Sequence, residues 1–290
     1  MISKWERIVY WVKVNVGCVK LVYSTVIAAM SVWWMWNLPF QVIQIFFSLL
    51  LFKYFALSVG GTTSLYGQNV IVFIISGLMV NTYLDTALNE WYQHLSSLYR
   101  GKFATGGTML STRDYLYLAG VSPLTYLFAK TSWSFIMDTT LFLSYFLLGV
   151  SIFGLHIPPN IDILSILVLL VLGIVACSGL GLISASMYWI AGAYRGVEPI
   201  RFFVRLLVPL VAGIYVPREI LPRELILIGD LIPHTYVVDG VRRALFKGAS
   251  LTTLTWNITV LSIQALVLIP LGIIMLKYSL ELERARGTIY

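Results

Sequence analysis

Lys53, Asp85, Glu90 and Asp138 are ionisable side chains that stand inside or beside the long apolar runs of this sequence. A lone charge deep in hydrocarbon costs on the order of several kcal/mol, so each needs a partner, water or a task. Asp138 lies about two turns into the apolar run that follows Lys130, and Lys53 sits well inside the first such run. Two readings stand for this pair. They line a polar path for a substrate, or Asp138 belongs to a buried interhelical pair while Lys53 snorkels to the surface. Asp85 and Glu90 fall near the end of their run, where capping or contact with basic groups explains them better than proton transport. An ion-coupled secondary transporter is the alternative that would use Asp138 and Asp85 as proton or cation sites. It would also carry inverted repeats with matched broken helices, and no persuasive pair is found.

The remaining reactive residue types do not assemble into an enzyme. His94, His156 and His234 are spread over three segments with no HExxH among them, so ordinary interfacial histidines are expected rather than a metal site. Gly101-Lys102 is followed by Phe103 and lacks the upstream glycine of GxxxxGK[ST], so the chain does not cradle ATP phosphates by itself. No GxSxG elbow supports a hydrolase. A lipid-modifying membrane enzyme would need His, Asp or Glu converging at one interface, and the histidine scatter argues against it. Cys18 and Cys177 are far apart and sit in or beside apolar segments, which implies neither a disulfide framework nor a metal site. Asn257-Ile258-Thr259 matches a glycosylation triplet but abuts an apolar run, so chance is the simpler account.

What must position these groups is a membrane scaffold. The 290 residues are 59% hydrophobic and 11% charged, with a mean hydropathy of +0.85, more apolar surface than a soluble core can hide. Apolar runs near 38–59, 69–89, 131–155, 163–190, 200–216 and 254–276 give six spans. Residues 1–36 read as an amphipathic interfacial lead-in that turns at Asn37, Leu38 and Pro39, with residues 21–36 as a rival seventh span; 37–290 form one transmembrane domain. The fifth span contains Arg205 and Pro209 and is short or kinked. The net charge of +7 reflects topology rather than nucleic-acid binding. Loops 60–68 and 154–162 contain no Lys or Arg, while the amino segment, the 91–130 and 191–205 loops and the tail are basic. Both termini are therefore expected in the cytoplasm.

Two loops break the monotony. In the cytoplasmic one, Gly106, Gly107 and Thr108 precede a short amphipathic helix around Ser111 to Ala119, closed by Ser122-Pro123. Such a helix either docks in a partner's groove or packs beneath the bundle. In the external one, Gly213 to Gly248, prolines 217, 222 and 233 delimit two short helices. Beside a short fifth span, they suggest a hairpin that dips back toward the bundle. The fourth span carries Gly173, Cys177, Gly181 and Ala185 at intervals of four, which permits close packing within the bundle or a sliding, dimer-facing surface.

The segments GGT…YLYLAGVSP…K at Gly106 to Lys130 and VPREILP…IPHTYVVDGVRRALFKG at Val216 to Gly248 resemble the permease subunit of type-2 ABC transporters, the exporter class that moves drugs, lipids and polysaccharides. The resemblance implies an all-α, six-span permease with a cytoplasmic coupling helix and a re-entrant external hairpin between spans five and six. It implies a hydrophobic or lipid-linked substrate, a separate ATPase subunit that holds ATP and Mg²⁺, and pairing as a homodimer or with a homologous permease in the plasma membrane. By similarity, Gly107, Thr108, Tyr115, Leu116, Ala119, Ser122 and Pro123 would mark the ATPase-coupling surface, with Trp5 to Lys20 as a second contact. Pro217, Pro222, Pro233, Tyr236, Asp239, Arg242 and Arg243 would form the external gate. Ser76-Gly77 stands where many members show Pro-Gly, which leaves the subfamily open.

Overall fold

The computed structural model describes residues 4–58, 70–100, 102–105, 108–192 and 198–285. Its first element is a rod. Helix α1 (Lys4–Val32) runs through a π-helical turn, Trp33–Asn37, directly into α2 (Leu38–Ser58). Pro39 has no N–H to give the carbonyl four residues back, and its ring crowds that carbonyl. A π turn widens the helix at this point and lets the chain continue. The turn expected at Asn37 to Pro39 is thus a bulge within one helix. The stretches Ile8–Ala28 and Met35–Tyr54 are each long and apolar enough to span a bilayer, but a rod without a reversal crosses only once.

The rod follows α5 (Pro123–Ser151) from end to end. Asn15 Oδ1 accepts the Ser122 N–H at 3.2 Å, Tyr23 meets Trp133 edge-on at 5.4 Å, and Phe46 lies 6.4 Å from Phe153 beyond the far end of α5. Equal numbers of residues separate the first and last contacts in both elements, so both rise together. Lys53 therefore lies near the rim. It is exposed, with its ammonium 6.0 Å above the Phe153 ring.

Helices α3 (Val70–Arg100), α6 (Ile163–Ile190) and α10 (Thr255–Ala285) complete the long elements. With the rod split into its two apolar stretches, six helical segments among the described residues reach membrane-spanning length and apolarity. The expected fifth span is not among them. It is α7 (Pro199–Val211), of 13 residues with Pro209 inside, about 20 Å of helix at 1.5 Å per residue. That is well short of the ~30 Å hydrocarbon core. After the turn at Gly213 come a 3₁₀ turn (Arg218–Ile220), α8 (Arg223–Asp230) and α9 (Pro233–Lys247).

Fold and expectation differ in one further place. Residues Lys102–Thr105 (β1) and Thr108–Ser111 (β2) pair as an antiparallel hairpin, in register from Lys102↔Ser111 to Thr105↔Thr108. A Gly-Gly pair between two short segments is a hairpin signal; treating those glycines only as punctuation missed it. The short helix that follows, α4 (Thr112–Leu118), falls where the sequence places it. Ser111 caps it reciprocally with Asp114.

Helix α6 is central, because its small residues let neighbours approach on several sides. A Cβ on Gly181 would lie 2.4 Å from the Ala87 carbonyl of α3, one on Gly179 would lie 2.6 Å from Leu268 of α10, and one on Gly173 would meet Val237 of α9. The stripe is consumed by packing within the chain, as the first of its two readings has it. Gly181→Ala is expected to destabilise the protein by about 1–3 kcal/mol through overpacking. Thermal unfolding in detergent should show a lowered midpoint, whereas Gly17→Ala, whose added methyl meets nothing within 4 Å, leaves it unchanged or raised.

Candidate functional site

A polar groove of about 410 Å³ opens between the rod, α3, α5 and α7, within the size range of small-molecule sites. Gln41, Gln44 and Ser48 reach it from α2, Asn81, Thr82, Asp85 and Thr86 from α3, Asp138 and Tyr145 from α5, and Arg205 from α7. Helical spacing explains the convergence: Gln41, Gln44 and Ser48, like Asn81 and Asp85, recur at three- and four-residue intervals and so share a face. Thr86 donates to Asp138. Asn89 donates to Asp85 at 2.7 Å, and Arg205 stands 4.0 Å from Asp85 with most of its side chain exposed. The carboxamide oxygens of Gln41 and Asn81 are buried and accept no hydrogen bond.

The polar seam continues along α3 and α5. Tyr83 donates to Thr139 at 3.1 Å, Ser134 donates to Glu90 at 2.9 Å, and His94 Nε2 lies 3.0 Å from Glu90. His234 is packed elsewhere, buried with its Nδ1 3.5 Å from the Cys177 sulfur.

The segment expected to form a gate is held by a buried arginine. Arg242 on α9 is 2% exposed. Its Nε donates to Ser76 Oγ at 3.1 Å, Nη1 to the Gly213 carbonyl at 2.6 Å, and Nη2 to the carbonyls of Phe73 at 2.7 Å and Ile214 at 3.3 Å. The guanidinium carbon lies 3.6 Å over the Phe73 ring. A Cβ on Gly77 would come within 2.5 Å of Nη2. The Ser76-Gly77 pair is therefore what admits this guanidinium: serine receives it and glycine leaves it room.

Around it, Asp239 accepts from Asn257 at 3.2 Å and stands 3.7 Å from Arg243. Asn257 also donates to the Tyr236 carbonyl at 2.9 Å and is buried, which accounts for its amide without a glycan. Arg218 reaches Asp230 at 2.5 Å across α8. Pro217 and Pro222 precede the 3₁₀ turn and α8, and Pro233 opens α9. The tip between α8 and α9 sits level with the middle of α6, where His234 meets Cys177. The far end of α9 returns to the start of α6, where Ala244 accepts from the Asp162 N–H at 3.4 Å.

At the opposite end lies α4. Tyr115, Tyr117, Leu118 and Ala119 are exposed, whereas Leu116 turns inward against two apolar clusters. Thr108 lies in β2, Ser122 and Pro123 form the start of α5, and Gly107 falls outside the described residues. Cys18 and Val22 of α1 pack on Val121 and Ala129, so the rod rests on the α4–α5 junction. Arg113 reaches Glu283 of α10 at 2.7 Å, and Tyr99 donates to the same carboxylate at 3.0 Å. Partial burial pushes the Asp114 carboxyl up, but the hydrogen bonds from Ser111 and the Arg113 contact outweigh it and hold the carboxyl below the usual aspartate range. The charged cap is therefore complete at neutral pH and is lost only as pH falls through that lowered value.

Sequence reasoning did not single out Gln41, Gln44, Asn81, Thr86 and Arg205 as groove residues, nor Ser76 as the partner of Arg242. Amides recurring at helical spacing inside apolar runs were the available signal for the first group. Tyr117 and Leu118 were likewise passed over in favour of Leu116, because periodicity gives a face but not its direction.

A family model described as ABC-2 family transporter protein matches residues 110–274, more than half of the chain. No curated protein matches it.

Replacing Arg242 tests what holds this side of the molecule. Arg242→Ala strands several buried carbonyls and is expected to cost about 3–5 kcal/mol, read as a large drop in the unfolding midpoint. Ser76→Ala, which removes one acceptor and leaves the carbonyls engaged, should cost about 1 kcal/mol.

Proposed function

The chain belongs to the ABC-2 transporter family, and from that premise we propose that it is the permease subunit of an ATP-driven exporter. Two copies, or this chain with a homologue, form the path in the plasma membrane, and a separate ATPase subunit supplies ATP and Mg²⁺ chemistry. The observation that carries this reading is the pairing of a polar groove at mid-span with an exposed apolar helix, α4, at one end of the same bundle.

Coupling is mechanical in this reading. The exposed face of α4, Tyr115, Tyr117 and Leu118, presses into the ATPase on the cytoplasmic side, where both termini also lie. Motion of α4 passes to α5 through the short 119–122 connector, to the rod through the Asn15–Ser122 contact, and to α10 through Arg113 and Glu283. These elements border the groove or brace those that do, so nucleotide-driven displacement biases one arrangement over another. The α8–α9 hairpin acts as a re-entrant external lid. Arg242 holds it to α3 rather than touching cargo, and Lys53 lies outside the path.

Co-expression with its cognate ATPase tests this reading. The two should copurify, and transport in proteoliposomes should vanish when the Walker lysine of the ATPase is replaced. Tyr117→Asp or Leu118→Asp should lower transport tenfold or more, roughly the loss of one interface anchor, with folding intact. Leu116→Asp should instead lower thermal stability. Transport unchanged by both surface variants would sink the coupling assignment.

A further inference from the structure

We propose that the cargo of the α2–α3–α5–α7 groove is a lipophilic cation, bound through Asp138 as its counter-charge. This rests on the reading of the groove as the transport path and adds the chemical class of what travels through it. The groove is rich in acceptors and poor in cations. Asp85 and Asp138 bring two carboxylates, and among the described residues Arg205 is the single basic side chain in its lining.

Arg205 sides with Asp85, at 4.0 Å. Among the described residues Asp138 receives only the Thr86 hydroxyl, and no Lys or Arg forms an ion pair with it. A partly buried carboxylate draws a positive group more strongly than an exposed one, because solvent screens it less. The surroundings favour the same ligand. The carboxamide oxygens of Gln41 and Asn81 accept nothing from the described residues, and an ammonium or amidinium offers the N–H donors that they lack. A neutral apolar molecule would leave these acceptors and the carboxylate unmatched, and an anion would be repelled by Asp138. Leu78, Leu141, Ile45 and Tyr145 supply an apolar wall for the body of the molecule. The complementary cargo thus joins one cationic nitrogen to an apolar or aromatic frame.

The test is binding to the full chain in phosphatidylcholine nanodiscs, read by fluorescence polarisation with three probes: the cation rhodamine 6G, the neutral Nile red and the anion eosin Y. Rhodamine 6G is expected to bind at least about tenfold more tightly than eosin Y, the scale of one charge-assisted contact. Asp138→Asn, which keeps size and the Thr86 contact, should erase that preference while leaving Nile red unaffected. Arg205→Ala, which removes the competing cation, should tighten rhodamine 6G. Equal binding of the three probes overturns the proposal, as does a cation preference that survives Asp138→Asn. If Asp138→Asn also loses Nile red, Asp138→Glu, which keeps the charge, decides: a retained cation preference upholds the proposal, and a lost one overturns it. ATPase copurification and Walker-lysine dependence are read separately. A lost cation preference with those intact removes only the cargo class, whereas intact cation binding without an ATPase removes the ATP-driven reading.

Discussion

One buried guanidinium organises the half of the molecule that contains the hairpin. A short helix such as α7 cannot finish a membrane wall alone, and the turn after it exposes carbonyls that lipid cannot satisfy. Arg242 supplies the missing donors. It binds the turn at Gly213 and Ile214 and simultaneously the α3 carbonyl of Phe73, so α3, the end of α7 and α9 are locked at one point. The arginine is itself tolerable there because its donors are engaged and its flat face rests on Phe73. Geometry calls for arginine here: a lysine is a point charge and could not serve several carbonyls arranged around a plane.

From that lock the rest of the packing follows. With α9 fixed against α3, its outer face meets α6, where Gly173 admits Val237 and Gly240 admits Leu169. Helix α6 in turn seats α3 and α10 through its other small residues. Where the helices are small-faced they close completely; where α2, α3, α5 and α7 meet, polar side chains of intermediate length hold them apart, and the groove results. Packing and path are complementary outcomes of residue size along the same helices.

Much of this was legible in the sequence. Hydropathy gave the membrane, proline spacing gave the two hairpin helices, and the Ser111 to Ala119 pattern gave α4 almost to the residue. The short fifth helix followed from Arg205 and Pro209. The remainder was hidden for identifiable reasons. Pro39 reads as a helix stop, yet a π turn absorbs it, so a rod was split in two. The role of Ser76-Gly77 depends on an arginine 166 residues away, and no local pattern can signal a contact of that range. Burial direction on α4 required knowing where α1 lies.

The rod carries a consequence of its own. Residues Lys4 to Ser58 make one helix, on the order of 80 Å long at the usual rise, against a hydrocarbon thickness of ~30 Å. Both of its ends therefore stand in water, on opposite sides of the barrier that α3, α5, α6 and α10 are also long enough to cross. Twisting stiffness along a helix is high, and the only widened turn lies near the middle. A rotation imposed beside Asn15 would thus reach the far rim through one soft joint, which gives this first helix the form of an axle, with its bearing against α5 and its widened turn at Trp33–Asn37.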